Sequence, residues 1–203
     1  MIKCNVTVCG IISRDAVIRN SKEGKPFVNL TVQANVQGKN GQGGTLELSV
    51  SKDGTPEEVA GLRTGMRVKV TGILIPKHRG ERIYFNLSAD SIVPVGAEEA
   101  HSLNGQLAFR GKVGKTIEDR ADRSGKPFTV FSAFSTEKVN DGFEYLWVKF
   151  FCFGKPREEW LQPGCRIEAR GEMELSFYNG KAEITCRPEV LAPYTPNPAN
   201  CNN

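Results

Sequence analysis

An internal repeat limits what this chain can fold into more than any other feature of its sequence. Four short motifs occur twice in the same order, about a hundred residues apart. Gly24–Phe27 recurs as Gly125–Phe128 at an offset of 101, and Gly54–Glu58 recurs as Gly154–Glu158 at an offset of 100. Leu62–Gly65 recurs as Leu161–Gly164, and Val70–Gly72 recurs as Ala169–Gly171, both at an offset of 99. A nearly constant offset of this length matches the usual size of a domain, so we interpret the chain as a duplicated unit. The predicted parts are a first domain at 1–97, a linker at 98–102, a second domain at 103–191 and a disordered tail at 192–203.

Each repeat is predicted to contain five short strands. Alternation of apolar and polar residues indicates strands at Cys4–Ile12, Pro26–Ala34, Leu46–Val50, Arg67–Leu74 and Ile83–Leu87, and at Gln106–Val113, Phe128–Phe134, Tyr145–Phe153, Arg166–Leu175 and Ala182–Arg187. Between the third and fourth strands, Thr55, Pro56 and Glu58 form a helix-start pattern with a capping box. A matching helix is predicted at Pro156–Leu161. This order is that of the OB-fold, so we predict an all-β chain of two tandem OB-folds, each a five-stranded Greek-key barrel.

Composition argues against several classes of function. The net charge of +4 is only a weak sign of a polyanionic partner. No apolar run is long enough to cross a membrane and no signal-peptide pattern opens the sequence, so a cytoplasmic protein is expected. The six cysteines form no Cys-x-x-Cys pair and the two histidines are far apart, which argues against a metal site. Without a nucleophile–base grouping or a phosphate loop, we expect neither enzymatic activity nor a cofactor.

The third strand of the second repeat has an unusual outer face. Period two sorts its residues into Leu146, Val148, Phe150 and Cys152 on one face, and Trp147, Lys149, Phe151 and Phe153 on the other. The first set is typical of a buried core, but the second places a lysine among three aromatic rings. Such a face needs a partner. Another protein surface is one candidate, and the bases of a single-stranded nucleic acid, which stack on aromatic rings, are the other.

The ordered motifs resemble those of the bacterial single-stranded DNA-binding protein family over most of residues 3–191. Gly24–Val32 is similar to that family's Gly-x-Pro-Val-x-Asn-Phe-x-Leu strand, Cys9–Asp15 to its Val-Gly-x-Leu-x-x-Asp, and Trp147–Lys155 to its Trp-x-x-x-x-x-Phe-Gly-Lys. The resemblance implies largely sequence-independent binding of single-stranded DNA in replication, recombination or repair. It implies base stacking on Trp147, Phe153 and Tyr178, and a phosphate contact at Lys149. RNA is not distinguished from DNA, and a protein-interaction or assembly module is the alternative.

The two repeats differ in the residues that would contact nucleic acid. The first-repeat positions that match the aromatic face are Glu47, Ser49, Ser51 and Asp53. Residues 1–97 nevertheless hold 13 Lys and Arg against eight acidic residues, whereas 103–203 hold 14 against 13. Much of this surplus lies in one hairpin, at Lys77, Arg79 and Arg82, which we expect to contact phosphates. Lys25 and Lys126, in the turns before the second strand of each repeat, are either further phosphate contacts or solvated charges.

Assembly is predicted from the resemblance. Members of that family usually act with four OB-folds, so a chain with two implies a homodimer. The family often ends in an acidic tail that recruits partner proteins. Here the tail is uncharged and ends Asn-Cys-Asn-Asn, which argues against recruitment of repair or replication proteins in that way.

Overall fold

Strands make up most of the computed structural model, which describes residues 2–36, 43–80, 82–139, 142–178 and 181–195. In these ranges the strands are β1 (Ile2–Asn20), β2 (Pro26–Val36), β3 (Gly44–Asp53), β4 (Arg67–Arg79), β5 (Arg82–Pro94), β6 (Ser102–Ala121), β7 (Pro127–Val139), β8 (Gly142–Phe153), β9 (Arg166–Tyr178) and β10 (Lys181–Pro193). The all-β class is confirmed. Every strand is longer than predicted, because backbone pairing continues past the end of the apolar alternation, as at Arg79 and Arg82 at the end of the β4–β5 ladder.

Each half of the chain closes its five consecutive strands into a ring. In the first half the order is β1-β2-β3-β5-β4, with β4 pairing back to β1. The β3–β5 pairing is parallel, and β2–β3 and β4–β5 are antiparallel. The second half has the same order, β6-β7-β8-β10-β9, closed by the β6–β9 pairing. This strand order is that of the OB-fold, as the sequence predicts.

The barrel cores follow from the period-two alternation. On β2, one face carries Val28, Leu30, Val32 and Ala34, all of which are buried. In the second half, one core cluster consists of aromatic rings: Phe150 lies edge-on to Phe109 at 5.1 Å and is stacked with Phe131 at 5.0 Å between centroids. Because these rings come from β6, β7 and β8, they hold three strands of that barrel together.

Only one of the two predicted helices is found in the described residues. The helix α1 (Pro56–Val59) begins after Thr55, whose backbone N–H donates to the Glu58 carboxylate at 3.0 Å. The prediction of a second helix at Pro156–Leu161 was wrong, because these residues are irregular, with a turn at 159–160.

The difference between the repeats lies in the capping residues. Lys155 stands where Thr55 stands in the first repeat, and a lysine has no oxygen that could accept an N–H at the helix start. The Glu58 counterpart is also engaged elsewhere, because the Trp160 indole N–H donates to the Glu158 carboxylate at 2.6 Å. The Arg157 guanidinium forms an ion pair with the carboxylate of Asp119, which lies outside the turn; the nitrogen and oxygen are 3.2 Å apart.

The chain divides into two compact units whose borders differ from the sequence repeat. The first unit is Lys3–Gln106 together with Glu174–Glu183, and the second comprises Leu107–Met173, Ile2 and the described residues from Ile184 on. The expected linker therefore lies in the first unit. The Arg67 guanidinium holds it there by donating to the carbonyl of Glu99.

The segment Glu174–Glu183, where β9 meets β10, is joined to the first unit by packing. The Phe177 ring lies so close to Gly44 that a Cβ there would be 2.5 Å from a ring atom. Leu175 and Ser176, next to Phe177, are buried. These contacts explain why the segment belongs to the first unit although its sequence belongs to the second repeat.

The start of the predicted disordered tail is part of β10, which continues to Pro193. Beyond it, the Tyr194 N–H donates to the carbonyl of Arg166 at 2.9 Å, and the Arg110 guanidinium lies 4.9 Å from the Tyr194 ring. The remaining tail residues, 196–203, lie outside the described residues. In the described ranges, no helix has the length and apolar character needed to span a bilayer.

Two pairs of repeated glycines have a structural cause. Gly24 and Gly125 have φ values of +79° and +81°, in the left-handed region that favours glycine. At Gly72 and Gly171 the facing strand is very close, since a Cβ at either position would lie 2.1 Å from a backbone carbonyl oxygen. The repeat thus preserves positions where a side chain would either strain the backbone or collide with the facing strand.

We expect Gly171→Ala to lower the free energy of unfolding by about 1–3 kcal/mol, because its Cβ would collide with the Arg187 carbonyl. Chemical denaturation followed by far-UV circular dichroism measures the loss. Gly61→Ala is the matched control, since nothing lies within 4 Å of a Cβ there. Equal stability of the two variants would show that the facing strand moves away without cost.

Candidate nucleic-acid interface

The outer face of β8 carries exposed aromatic side chains on the second unit. Leu146, Val148 and Phe150 are buried, as the alternation predicts. Burial of the adjoining Cys152 raises the pKa of its thiol to about 11. On the opposite face, Trp147 is 50% exposed and Phe153 is 52% exposed, with Lys149 and Phe151 half-buried between them. Alternate residues of β8 therefore lie in the barrel core and on the exposed face.

Rings on β7 support the exposed rings on β8. In the β7–β8 ladder, Phe134 lies opposite Trp147 and Phe128 lies opposite Phe153. Their ring centroids are 4.8 Å and 5.1 Å apart, and the second pair is stacked. Because each outer ring already rests on a neighbour, little side-chain freedom remains to be lost when a ligand stacks on it.

Positive charges lie beside these rings. The Lys149 ammonium is 5.6 Å from the centroid of the Phe151 ring, and the Arg187 guanidinium is 5.9 Å from that of Phe153. At such distances the cation is attracted to the ring face while the charge stays accessible to an anion. The face combines flat apolar rings with cations, which are the two groups that a single strand of nucleic acid requires.

An open groove of about 880 Å³ adjoins Trp147 in the second unit. Its lining includes Phe134, Trp147, Lys149 and two lysines of β6, Lys112 and Lys115. Arg120 also lines it, but its guanidinium is paired with Glu118. The groove adds the cations of Lys112 and Lys115 to the edge of the aromatic face.

The two β6 lysines were not identified from the sequence. Lys112 lies opposite Phe134 in the β6–β7 ladder, and a register shift between Val113 and Ile117 interrupts that pairing around Lys115. The predicted strand ended at Val113, so the sequence offered no basis for placing Lys115. The cross-strand register was the missing information, since it depends on how β6 meets β7.

Lys25 and Lys126 lie in turns whose backbones are fixed. The Lys126 N–H donates to the Asp122 carboxylate at 2.9 Å, and the Lys25 N–H donates to the hydroxyl of Ser21 at 3.1 Å. Hydrogen bonds to Asp122, above all from the Ser124 hydroxyl, lower the pKa of that carboxyl. Both lysine side chains are exposed, and neither is among the described residues that line the groove.

The other predicted basic residues lie together on the β4–β5 hairpin of the first unit. Arg79 is opposite Arg82, and Lys77 is opposite Tyr84. The sequence analysis missed Tyr84, which is 49% exposed, because only the charged residues of this hairpin were considered. The matching third-strand face is polar as expected, with Glu47 accepting a hydrogen bond from the Gln33 amide at 3.0 Å.

The predicted site residues therefore fall into separate groups. Trp147, Lys149, Phe151 and Phe153 share one face of β8 in the second unit. Tyr178 ends β9 in the segment assigned to the first unit, and its side chain lies outside the described residues.

Neither a family model nor a curated protein matches this sequence. Among solved structures, the chain is similar to the wild-type single-stranded DNA binding protein from Thermus aquaticus, with 18% identity, 98% of this chain and 96% of that chain covered, and a TM-score of 0.47. It is also similar to a small single-stranded DNA-binding protein from Streptomyces coelicolor, with 20% identity, 49% and 96% coverage, and a TM-score of 0.36. Because both TM-scores are low, the function is inferred from the surface of this chain itself.

Proposed function

We propose that this chain binds single-stranded DNA largely independently of its base sequence. The observation that carries the proposal is the outer face of β8, where Trp147 and Phe153 are half-exposed, supported by rings of β7, and flanked by Lys149. Every base has a flat face that can stack on an aromatic ring, so such a surface does not discriminate among bases. Lysine contacts to phosphates are equally independent of sequence.

The same surface favours a single strand over a duplex. In a duplex the bases stack on one another, so their faces are not free to meet Trp147 or Phe153. The proposed role is binding without catalysis, because stacking and ion pairing account for the groups on this face. In this role, the protein protects exposed single strands during DNA replication, recombination or repair. Titrations with single-stranded DNA, duplex DNA and RNA of equal length test the preference directly.

We expect Trp147→Ala and Phe153→Ala each to weaken binding to oligothymidylate by about 1–3 kcal/mol, the usual loss for one stacked base. Folding should be retained, because both side chains lie on the exposed face. Fluorescence titration measures the affinity of the wild type and of Phe153→Ala through quenching of Trp147, and a labelled oligonucleotide reports on Trp147→Ala.

Trp147→Phe is the matched control for this experiment, since it keeps a ring for stacking but removes the fluorescent reporter. Its affinity should stay close to that of the wild type while most of the quenching disappears, leaving only the signal of Trp160. Unchanged affinity in Trp147→Ala, together with the loss of an oligomer, would instead favour the protein-interaction module.

The basic β4–β5 hairpin is proposed to contact phosphates. Replacing Lys77, Arg79 and Arg82 together by alanine should reduce the slope of log K against log salt by about 0.7 per lost contact, the single-strand value. Arg63→Ala, which removes a charge from the loop after α1 in the same unit, serves as the control and should leave the slope unchanged. If the triple variant keeps the wild-type slope, these residues are ordinary solvated charges.

We also propose that the chain forms a homodimer, because it supplies two of the four OB-folds with which the resembled family acts. Light scattering at micromolar concentration should then give twice the 22.3 kDa mass of the chain. A reductant in the buffer prevents Cys201 from linking two chains by a disulfide bond. A mass equal to that of one chain would disprove the dimer without affecting the proposed binding of DNA.

A further inference from the structure

We propose that Tyr145 and Phe143 are two additional base-stacking positions, so that the bound strand continues along β8 past Trp147 towards the β7–β8 hairpin. This inference rests on the proposed function and extends its site. Neither residue is part of the Trp-x-x-x-x-x-Phe-Gly-Lys motif on which the sequence interpretation was based.

The two side chains continue the exposed row. Tyr145 and Phe143 precede Trp147 at intervals of two residues, so all three point to the same side of β8, about 7 Å apart along the strand. Tyr145 is 47% exposed and Phe143 is 62% exposed, which is unusual for side chains of this size. Leu146, between Tyr145 and Trp147, is buried in the core, so the alternation that exposes the row is fixed by packing.

The Phe134 ring connects Tyr145 to the aromatic face around Trp147. Its ring centroid is 4.8 Å from that of Trp147 and 5.4 Å from that of Tyr145, with an edge-on arrangement in the second pair. The three rings therefore form one continuous cluster across β7 and β8. A base stacked on Tyr145 would follow directly after one stacked on Trp147.

The charges beside the row favour nucleic acid over a protein partner. Lys138 lies opposite Phe143 in the β7–β8 ladder, and Lys112 lies opposite Phe134 in the β6–β7 ladder; both lysines are exposed. Lysine is depleted from protein–protein interfaces, whereas a row of rings accompanied by lysines suits stacked bases with a phosphate backbone alongside. Glu137 and Glu144 lie opposite each other in the β7–β8 ladder, but the alternation turns them to the other side of these strands.

A length series of oligothymidylates tests the inference on the full chain. With the double variant Phe143→Ala/Tyr145→Ala, affinity for long oligonucleotides should fall about 30-fold or more, since each lost stack corresponds to about five-fold or more. Affinity for oligonucleotides of about four nucleotides, read by quenching of Trp147, should remain within about two-fold, because these occupy the face from Trp147 to Phe153.

Three control variants distinguish stacking from other effects. Tyr145→Phe keeps the ring and should bind like the wild type. Phe143→Leu keeps apolar volume without a flat ring and should lose most of the Phe143 contribution. Val190→Ala removes another exposed apolar side chain of the second unit and should have no effect. Circular dichroism confirms that each variant is folded.

The outcomes separate this inference from the proposed function. If the wild type shows no quenching with any oligonucleotide, the proposed function itself fails. If the wild type binds and the double variant follows the same dependence on length, only the two additional positions are disproved. A change of mass in light scattering without loss of DNA affinity would assign these rings to a protein contact and overturn the inference.

Discussion

The ring cluster of Phe109, Phe131 and Phe150 is the contact on which the proposed binding surface depends. These core residues come from β6, β7 and β8, and their centroids lie about 5 Å apart in the two contacts with Phe150. Once Phe131 and Phe150 are fixed inside the barrel, their neighbours along each strand must point outward. The direction of Trp147, Phe134 and Lys149 is therefore a consequence of core packing.

Duplication explains how one chain carries two similar barrels with different surfaces. The glycines that permit close strand contact or a left-handed turn are retained in both repeats, because any side chain there would clash or strain the backbone. No comparable restriction acts on the outward positions of β3 and β8. There, Glu47 in one repeat corresponds to Trp147 in the other, so the surfaces could diverge while the folds stayed alike.

The first unit combines a polar third-strand face with a basic hairpin that also carries Tyr84. The second combines aromatic rings with a groove bordered by lysines. Stacking is short-ranged and needs contact, whereas attraction between cations and phosphates reaches further and weakens with salt. The contacts proposed for the two units therefore differ in their range and in their dependence on salt.

The sequence by itself determined the repeat, the class of fold, the approximate position of every strand and which residues between Leu146 and Phe153 face outward. These features are local or depend on a fixed period of two, so they can be derived from residue order alone. Only the tertiary structure decided that Phe134 and Lys112 lie beside Trp147, and that the segment carrying Tyr178 belongs to the first unit. It also decided that the second repeat has no helix before Leu161, where Glu158 binds the Trp160 indole. These outcomes depend on cross-strand register and on contacts between residues distant in sequence, such as Phe177 with Gly44, which no local pattern encodes.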